Sequence, residues 1–538
     1  MDNRQIAGQL ELFATLLELS EANPYTTRAY RRAAETIRAA PVPVAELVRA
    51  GRVRDLRGIG PGIERRLGEL VATGQIAELA ELEHDLTPEL VGLGRFLGLT
   101  ARRSVEIARA LGVTTAEEFR EAVSAGRLQE VPGVGPKLEA RLRDALARES
   151  DPRPARGLLL NRALELLGGI AEAVDGEVAG DARRFRDSCE SLAVVCAASD
   201  PGPVLDRFTG LPQVVAVIER HERRAVGLTV DGVPVELFAA VPEQYGAALM
   251  RATGSARYVE ALEPLPDAPD EPGVYRGLGI PWCPPELRED PFRGDPPTLI
   301  ELDDIRGDLH CHTHWSDGRA SVEEMGRAAQ ERGYEYLAIC DHTPAVGAVH
   351  GLTPDEVRRQ AEEIDAANER LAPFRVLHGI ECDILPDGRL DLTDVVLAEL
   401  DWVQASVHGG QRMPRAELTR RVEEALRNPH VRCLSHPTGR YIHRRPENAL
   451  DLERVFEVAL ETGVAIEVNG LPDRLDLSGD HVREALRAGV ALVCSTDAHS
   501  ERGLGNMPLS VATARRGWAR ATDVLNTRPL NALLPRRR

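Results

Sequence analysis

Six short segments beyond residue 300 carry histidine at or near the end of an apolar run, several with a carboxylate beside it. They are GDLHCHTHWSDG (307–318), CDHT (340–343), HGIECDI (378–384), SVHGG (406–410), LSHPTGR (434–440) and STDAH (495–499). The runs themselves, such as YLAIC (336–340) and ALVCS (491–495), read as buried strands. Between them lie stretches long enough for helices, for example VEEMGRAAQERG (322–333) and PDEVRRQAEEIDAANERL (354–371). Strand then helix, repeated about seven times, predicts a parallel α/β barrel with its functional groups at the C-terminal strand ends. Twelve of the 14 histidines fall in this part of the chain. One histidine near a strand end is ordinarily a satisfied structural residue. Six such segments together point instead to a multinuclear metal site, because imidazole and carboxylate suit zinc, manganese and iron. Residues i and i+2 of a strand share a face, so His310 and His312 are expected to point together while Cys311 points away. Asp497 and His499 repeat that spacing.

At 538 residues the chain is long enough for several domains. No run approaches the roughly 20 apolar residues of a membrane span. The N-terminus MDNRQIAGQLELF lacks the basic-then-apolar pattern of a secretion signal. The eight cysteines form no CxxC pair and read as small buried thiols of a reducing compartment. These features predict a cytoplasmic protein with no membrane partner. The net charge of −19 argues against nucleic acid for the chain as a whole, but residues 1–150 are nearly balanced, with 21 basic and 22 acidic side chains. Almost all of the basic residues are arginine, and Lys137 is the single lysine.

Two segments in the balanced region share one pattern: DLRGIGPGIERRLGELV (55–71) and EVPGVGPKLEARLRDAL (130–146). Each reads Gly-apolar-Gly-Pro and then a helix. The glycines permit a tight turn, and the helix N-terminus exposes backbone N–H groups that can grip a phosphate without reading sequence. This is the helix-hairpin-helix motif. A lone copy would read as an ordinary helix-helix turn; two copies predict backbone contacts to DNA through Gly58, Gly60, Gly62, Gly133, Gly135 and Lys137. A third segment, LVGLGRFLGLTARR (90–103), is a degraded version.

NPYTTRAYRRAAETIR (23–38) and the hairpin after it resemble the lyase-type domain of family X DNA polymerases, and residues 126–137 resemble that family's second hairpin. PGVYRGLGIPWCPPELRED (272–290) resembles the end of its thumb, and the motifs of 307–527 resemble the polymerase and histidinol phosphatase (PHP) domain of its bacterial and archaeal members. The resemblance spans nearly the whole chain in family order. It implies a multidomain fold: an all-α helix-hairpin-helix N-terminal region, an α+β nucleotidyltransferase-like palm and thumb, and a C-terminal α/β PHP domain, a distorted (β/α)7 barrel. The implied divisions are a lyase-like domain (1–80), a fingers-like domain (81–150), a palm (151–240), a thumb with linker (241–298) and the PHP barrel (299–538).

Resemblance to PHP enzymes assigns nine ligands to three divalent metal ions, Mn²⁺ and/or Zn²⁺. His310, His312 and Asp497 would hold the first. Glu381 would bridge to a second held by His408 and His436, and Asp317, His342 and His499 would hold the third. A water deprotonated on the metals would be the nucleophile. Arg440, Asn469 and Arg474 are candidates to hold the substrate phosphate, with a barrel-internal hydrogen-bond network as the alternative for the last two. Asp308 and Asp341 adjoin ligand histidines and are candidates to orient them. His314, His350 and His443 have no assigned place.

Elsewhere the chain departs from the family. The palm needs three aspartates for two magnesium ions, and in GDARRFRDSCESLAVV (180–195) and VPVELFAA (233–240) those positions hold Ser191, Ala193 and Glu236. No Mg²⁺ site and no polymerase activity are expected there. The family's Schiff-base lysine is Arg66 here, and a guanidinium that stays protonated cannot serve. The expected protein is therefore a metal-dependent phosphoesterase on DNA, a 3′–5′ exonuclease with 3′-end processing or abasic-site cleavage as further outlets in repair, acting as a monomer. Two alternatives stay open: a small-molecule phosphomonoesterase of the histidinol-phosphatase type, and a non-catalytic DNA-binding repair scaffold.

Overall fold

The computed structural model describes residues 157–534 throughout, and residues 1–139 apart from 83–98 and positions 2, 21, 22, 39, 41, 57, 80, 81, 100, 114, 133, 136 and 137. The N-terminal region is helical. In the helix Pro24–Arg38, Tyr30, Ala33, Ala34 and Ile37 fall on one stripe at helical spacing and are buried. They pack on Ile6, Leu10 and Phe13 of the helix Asn3–Leu19 and on Leu67 and Leu70 of the helix Pro61–Thr73. The helices Ala101–Leu111 and Ala116–Ser124 form a second core around Ile107, Phe119 and Val123.

The described residues form 14 strands in three sheets of two, five and seven. β1 (Leu158–Leu159) pairs with β3 (Ser188–Cys189). A five-stranded mixed sheet runs in the order β2 (Gly176–Ala179), β4 (Leu192–Ala197), β7 (Pro234–Ala240), β6 (Arg224–Thr229), β5 (Val214–Arg220). β4 and β7 are parallel, and Ala193 sits directly opposite Glu236. The helices Leu160–Val174 and Gly202–Thr209 cover this sheet with Leu166, Leu167, Ile170 and Phe208.

The C-terminal part holds seven parallel strands in chain order: β8 (Gly307–Cys311), β9 (Tyr336–Ile339), β10 (Arg375–Asp383), β11 (Trp402–Ser406), β12 (Cys433–Leu434), β13 (Ala465–Asn469) and β14 (Leu492–Ser495). Nearly every strand residue is buried, as expected when helices cover the outer face. The first and last strands nearly close the barrel through a bridge between Cys311 and Ala498. Asn526 fills the remaining seam. Its Nδ2 donates to the carbonyls of Gly307 and Cys494, both at 2.7 Å, and its Oδ1 accepts from Cys494 N–H at 3.1 Å. Asn526→Ala strands these buried groups and is expected to cost about 2–4 kcal/mol in denaturant unfolding of the metal-free protein. A loss below about 1 kcal/mol would mean that the seam is held by other groups.

Palm and barrel share a core: Leu475 and Leu509 of the barrel lie among Leu192, Cys189 and Ala182. The stretch 289–305, rich in proline and aspartate, is packed along this junction. Ile300 is buried and its N–H donates to Ala519, while Glu289 bonds both Arg184 and Arg516. All eight cysteines are buried free thiols. Among the described residues, no helix is long and apolar enough to cross a membrane.

Candidate metal centre

The nine histidines and carboxylates, spread over six of the seven strands and the loops that follow them, meet at one end of the barrel. His310 is the last inward-facing residue of β8 and His312 follows it; their Nε2 atoms are 3.1 Å apart. Asp497 Oδ1 lies 3.2 Å from His312 Nε2 and 3.8 Å from His310 Nε2. Glu381, on β10, stands at the centre. Its Oε1 lies 2.8 Å from His436 Nε2 and 3.5 Å from His408 Nε2; its Oε2 lies 3.0 Å from His342 Nδ1 and 3.5 Å from His310 Nε2. Asp317 completes the other side, with Oδ2 3.2 Å from His499 Nε2 and Oδ1 3.6 Å from His342 Nε2. Three subsets have ligand atoms close enough to share an ion: His310, His312 and Asp497; His312, Asp317, His342 and His499; and His342, Glu381 and His408. His310, His312 and Glu381 are fully shielded, whereas Asp317, His408 and His499 are partly exposed and mark the mouth.

The side chains fit divalent cations on two counts. First, buried ring nitrogens of His312 and His436 have no hydrogen bond, which is costly unless another acceptor of their lone pairs is present. Second, the backbone is strained where it delivers the ligands: His436 has φ +24° and Asp497 φ +53°, a conformation that costs non-glycine residues about 1–3 kcal/mol and persists where the surroundings enforce it. Asp497 follows β14 rather than lying in it, so strand alternation is not what pairs it with His499. The left-handed turn does so, and His499 Nδ1 bonds the carbonyl of Asp497 at 2.8 Å.

The charges explain the cluster's titration. Burial disfavours a charged His342, but Glu381 and Asp317 outweigh it and push its pKa up to about 10. His312, buried among His499 and His342, is pushed down to about 3. Glu381 resists the effect of burial because four histidines surround it, and its pKa lies well below the usual carboxylate range. In the metal-free protein a raised imidazole pKa contributes stability that is complete below about 6.5 and lost as pH rises through the folded value. Thermal stability in EDTA is therefore expected to fall from about pH 6.5 to 10, by on the order of a few kcal/mol, with a flatter profile when Mn²⁺ replaces the protons. A metal-free stability that rises over this window would contradict this electrostatic picture.

Two buried carboxylates that hold ligand imidazoles escaped the sequence reading. Glu467 bonds His310 Nδ1 at 2.6 Å and accepts the N–H of His436, and Asp383 bonds His408 Nδ1 at 3.2 Å. Such partners fix the ring and its tautomer. Asp383 ends β10 two residues after Glu381, and Glu467 lies inside β13 in AIEVN. Asp308 and Asp341 hold the surrounding loops rather than rings: Asp308 bonds Thr496 and the N–H of His310, and Asp341 bonds Thr313, Ser316 and Gln360. Asn469 is consumed by Glu467 and Asp497, at 3.2 and 3.1 Å. His314, His350 and His443 are exposed.

Arg440, expected to hold the substrate phosphate, gives its Nε and Nη2 to the carbonyls of Arg474 and Leu475, and Nη2 also meets Asp187 at 2.8 Å. Arg474 is the arginine that reaches the cluster. Its Nε lies 3.9 Å from Asp497 Oδ2 without a hydrogen bond, and its guanidinium lies over the Tyr441 ring at 4.5 Å.

In the palm, Glu236 is bound by Arg224 at 2.8 Å. Asp181 accepts the N–H groups of Glu190 and Ser191 and pairs with Arg184. Arg66 pairs with Glu78 and lies over the rings of Phe13 and Tyr30, at 5.1 and 5.5 Å. Of the first hairpin, Gly58 has φ +90° and so requires glycine, while Gly60 caps the helix Pro61–Thr73. A Cβ at Gly58, Gly60, Gly62 or Gly135 would meet nothing within 4 Å, so these backbones present an open face. Gly133 and Lys137 lie outside the described residues.

A seven-stranded parallel barrel with this histidine-carboxylate cluster is the architecture of a PHP domain, and residues 308–470 match the PHP domain family. Residues 1–76 match a helix-hairpin-helix domain and residues 96–148 a SAM-like helix-hairpin-helix tandem. The chain is 34% identical over 563 aligned positions, 98% of each protein, to the DNA polymerase/3'-5' exonuclease PolX of Bacillus subtilis. It therefore belongs to the family X DNA polymerases that carry a C-terminal PHP domain. The chain is also 32% identical over 201 residues to a probable phosphatase of Acetivibrio thermocellus, covering 36% of this chain and 78% of that protein. A probable phosphatase of Photobacterium profundum is 30% identical over 220 residues, 37% of this chain and 80% of that one.

Proposed function

We propose that this chain is a metal-dependent 3′–5′ exonuclease of DNA repair whose palm no longer polymerises. The observation that carries the reading is the contrast between two sites. Nine ligand-type side chains converge in the barrel, whereas one carboxylate remains at the three palm positions and is neutralised by Arg224. His310, His312, Asp317, His342, Glu381, His408, His436, Asp497 and His499 would hold two or three divalent ions, Mn²⁺ or Zn²⁺ being the best matched. Ions held there supply positive charge for phosphate oxygens and lower the pKa of a bound water. Arg474 would meet a non-bridging phosphate oxygen, and Tyr441 keeps its guanidinium in place. Glu467 and Asp383 keep His310 and His408 in one tautomer each. The partly exposed edge at Asp317, His408 and His499 admits the strand end.

The open glycine faces of the hairpins would take the DNA backbone without reading sequence, consistent with their near-neutral charge. The same hydrolytic set could remove a 3′-phosphate or cut at an abasic site. The small-phosphomonoester reading draws on the phosphatase relatives, but it leaves the hairpins and palm without a role; a non-catalytic scaffold leaves the complete cluster without one. We place the protein in the cytoplasm as a monomer. Incubation with Mn²⁺ and a labelled 3′-recessed oligonucleotide should give stepwise shortening from the 3′ end that EDTA stops. Hydrolysis of small phosphomonoesters with an intact oligonucleotide would favour the phosphatase reading.

A further inference from the structure

Arg474 reaches the metal cluster from a loop that the barrel and the palm hold together. Three observations join the two. Asp187, from the turn before β3, bonds Arg440 Nη2 at 2.8 Å. Arg440 then uses Nε at 2.9 Å and Nη2 at 2.5 Å to hold the carbonyls of Arg474 and Leu475. Leu475 has φ +43° and buries its side chain completely in the palm core. Its neighbour Arg474 is thereby turned the other way, onto Tyr441 and to 3.9 Å from Asp497.

We propose that Asp187 is a positioning residue for hydrolysis in the barrel: through Arg440 it fixes the loop 470–477 and so sets where the Arg474 guanidinium stands over the cluster. A carboxylate in the palm thus acts on chemistry in another domain, which gives a palm without its three aspartates a continuing task. The bond is well made for the purpose. Burial opposes ionisation of Asp187, but Arg440 and Arg516 outweigh it and hold its pKa below the usual carboxylate range. A guanidinium committed to two carbonyls and one carboxylate has little freedom, and displacement of a substrate-facing group by about 1 Å can cost about 100-fold in rate.

The proposal rests on the exonuclease reading only for its catalytic consequence, so two readouts are needed. In the metal-free full chain, hydrogen-deuterium exchange of residues 471–477 should rise about tenfold or more in Asp187→Ala, less in Asp187→Asn, with circular dichroism and the exchange of β8–β11 unchanged. With Mn²⁺, kcat on a 3′-recessed oligonucleotide should fall about tenfold to 100-fold while KM changes little. In an Arg474→Ala background, Asp187→Ala should add less than about a twofold loss, because both act on one group. Unchanged exchange in the loop would overturn the proposal, as would additive effects of the two substitutions. A wild-type chain that hydrolyses nothing would sink the exonuclease reading, while the exchange measurement would still decide the link from Asp187 to the loop.

Discussion

Glu381→Ala is expected to lower metal-dependent shortening of a DNA 3′ end by about three orders of magnitude or more. The estimate follows from position. Glu381 contacts His310, His342, His408 and His436 with its two oxygens, so its loss removes the one carboxylate common to most of the cluster. Clustered cations supply several kcal/mol of transition-state stabilisation, and each 1.36 kcal/mol is a factor of ten. The variant should also bind fewer Mn²⁺ ions in equilibrium dialysis, which separates loss of metal from loss of fold. His310→Ala should behave alike, because its ring is shared by Asp497 and Glu381 and anchored by Glu467. Hydrolysis that survives both substitutions would place the activity outside the barrel.

The second large effect is an absence of synthesis. On gapped DNA with Mg²⁺ and dNTPs the chain should incorporate nothing above background. Position 193 is an alanine directly opposite Glu236, and position 191 is a serine whose N–H is held by Asp181. Two ions need negative charge on the palm face, and the remaining carboxylate already answers Arg224. Asp181 is itself bound to the N–H of Ser191 and to Arg184, and Arg184 is paired to both Asp181 and Glu289. Template-directed extension in a primer assay would contradict this account of the palm.

Much of the site was legible because its signal is local. Each ligand stands at the end of an apolar run, so a strand-end histidine in a repeated strand-helix pattern announces both barrel and metal site. Glu467 and Asp383 also belong to apolar strands, but a strand carboxylate alone does not reveal whether it meets a ring, a metal or a backbone N–H, which only their contacts with His310 and His408 decide. Asp497 shows the limit of periodicity: its pairing with His499 comes from a left-handed turn, not from alternation. Arg440 and Arg474 could not be told apart in sequence. Both follow strand ends, and the deciding facts are a carbonyl pair 34 and 35 residues away and an aspartate in another domain. The packed stretch 289–305 was likewise invisible, because proline and aspartate read as a loose connection until Glu289 meets Arg184 and Arg516.

The decisive reaction puts the full chain on a labelled 3′-recessed duplex with Mn²⁺, with and without all four dNTPs. Shortening from the 3′ end should run at the same rate in both and stop with EDTA and in Glu381→Ala. Extension of the recessed end when dNTPs are added, or shortening that persists in Glu381→Ala, would contradict the proposed function.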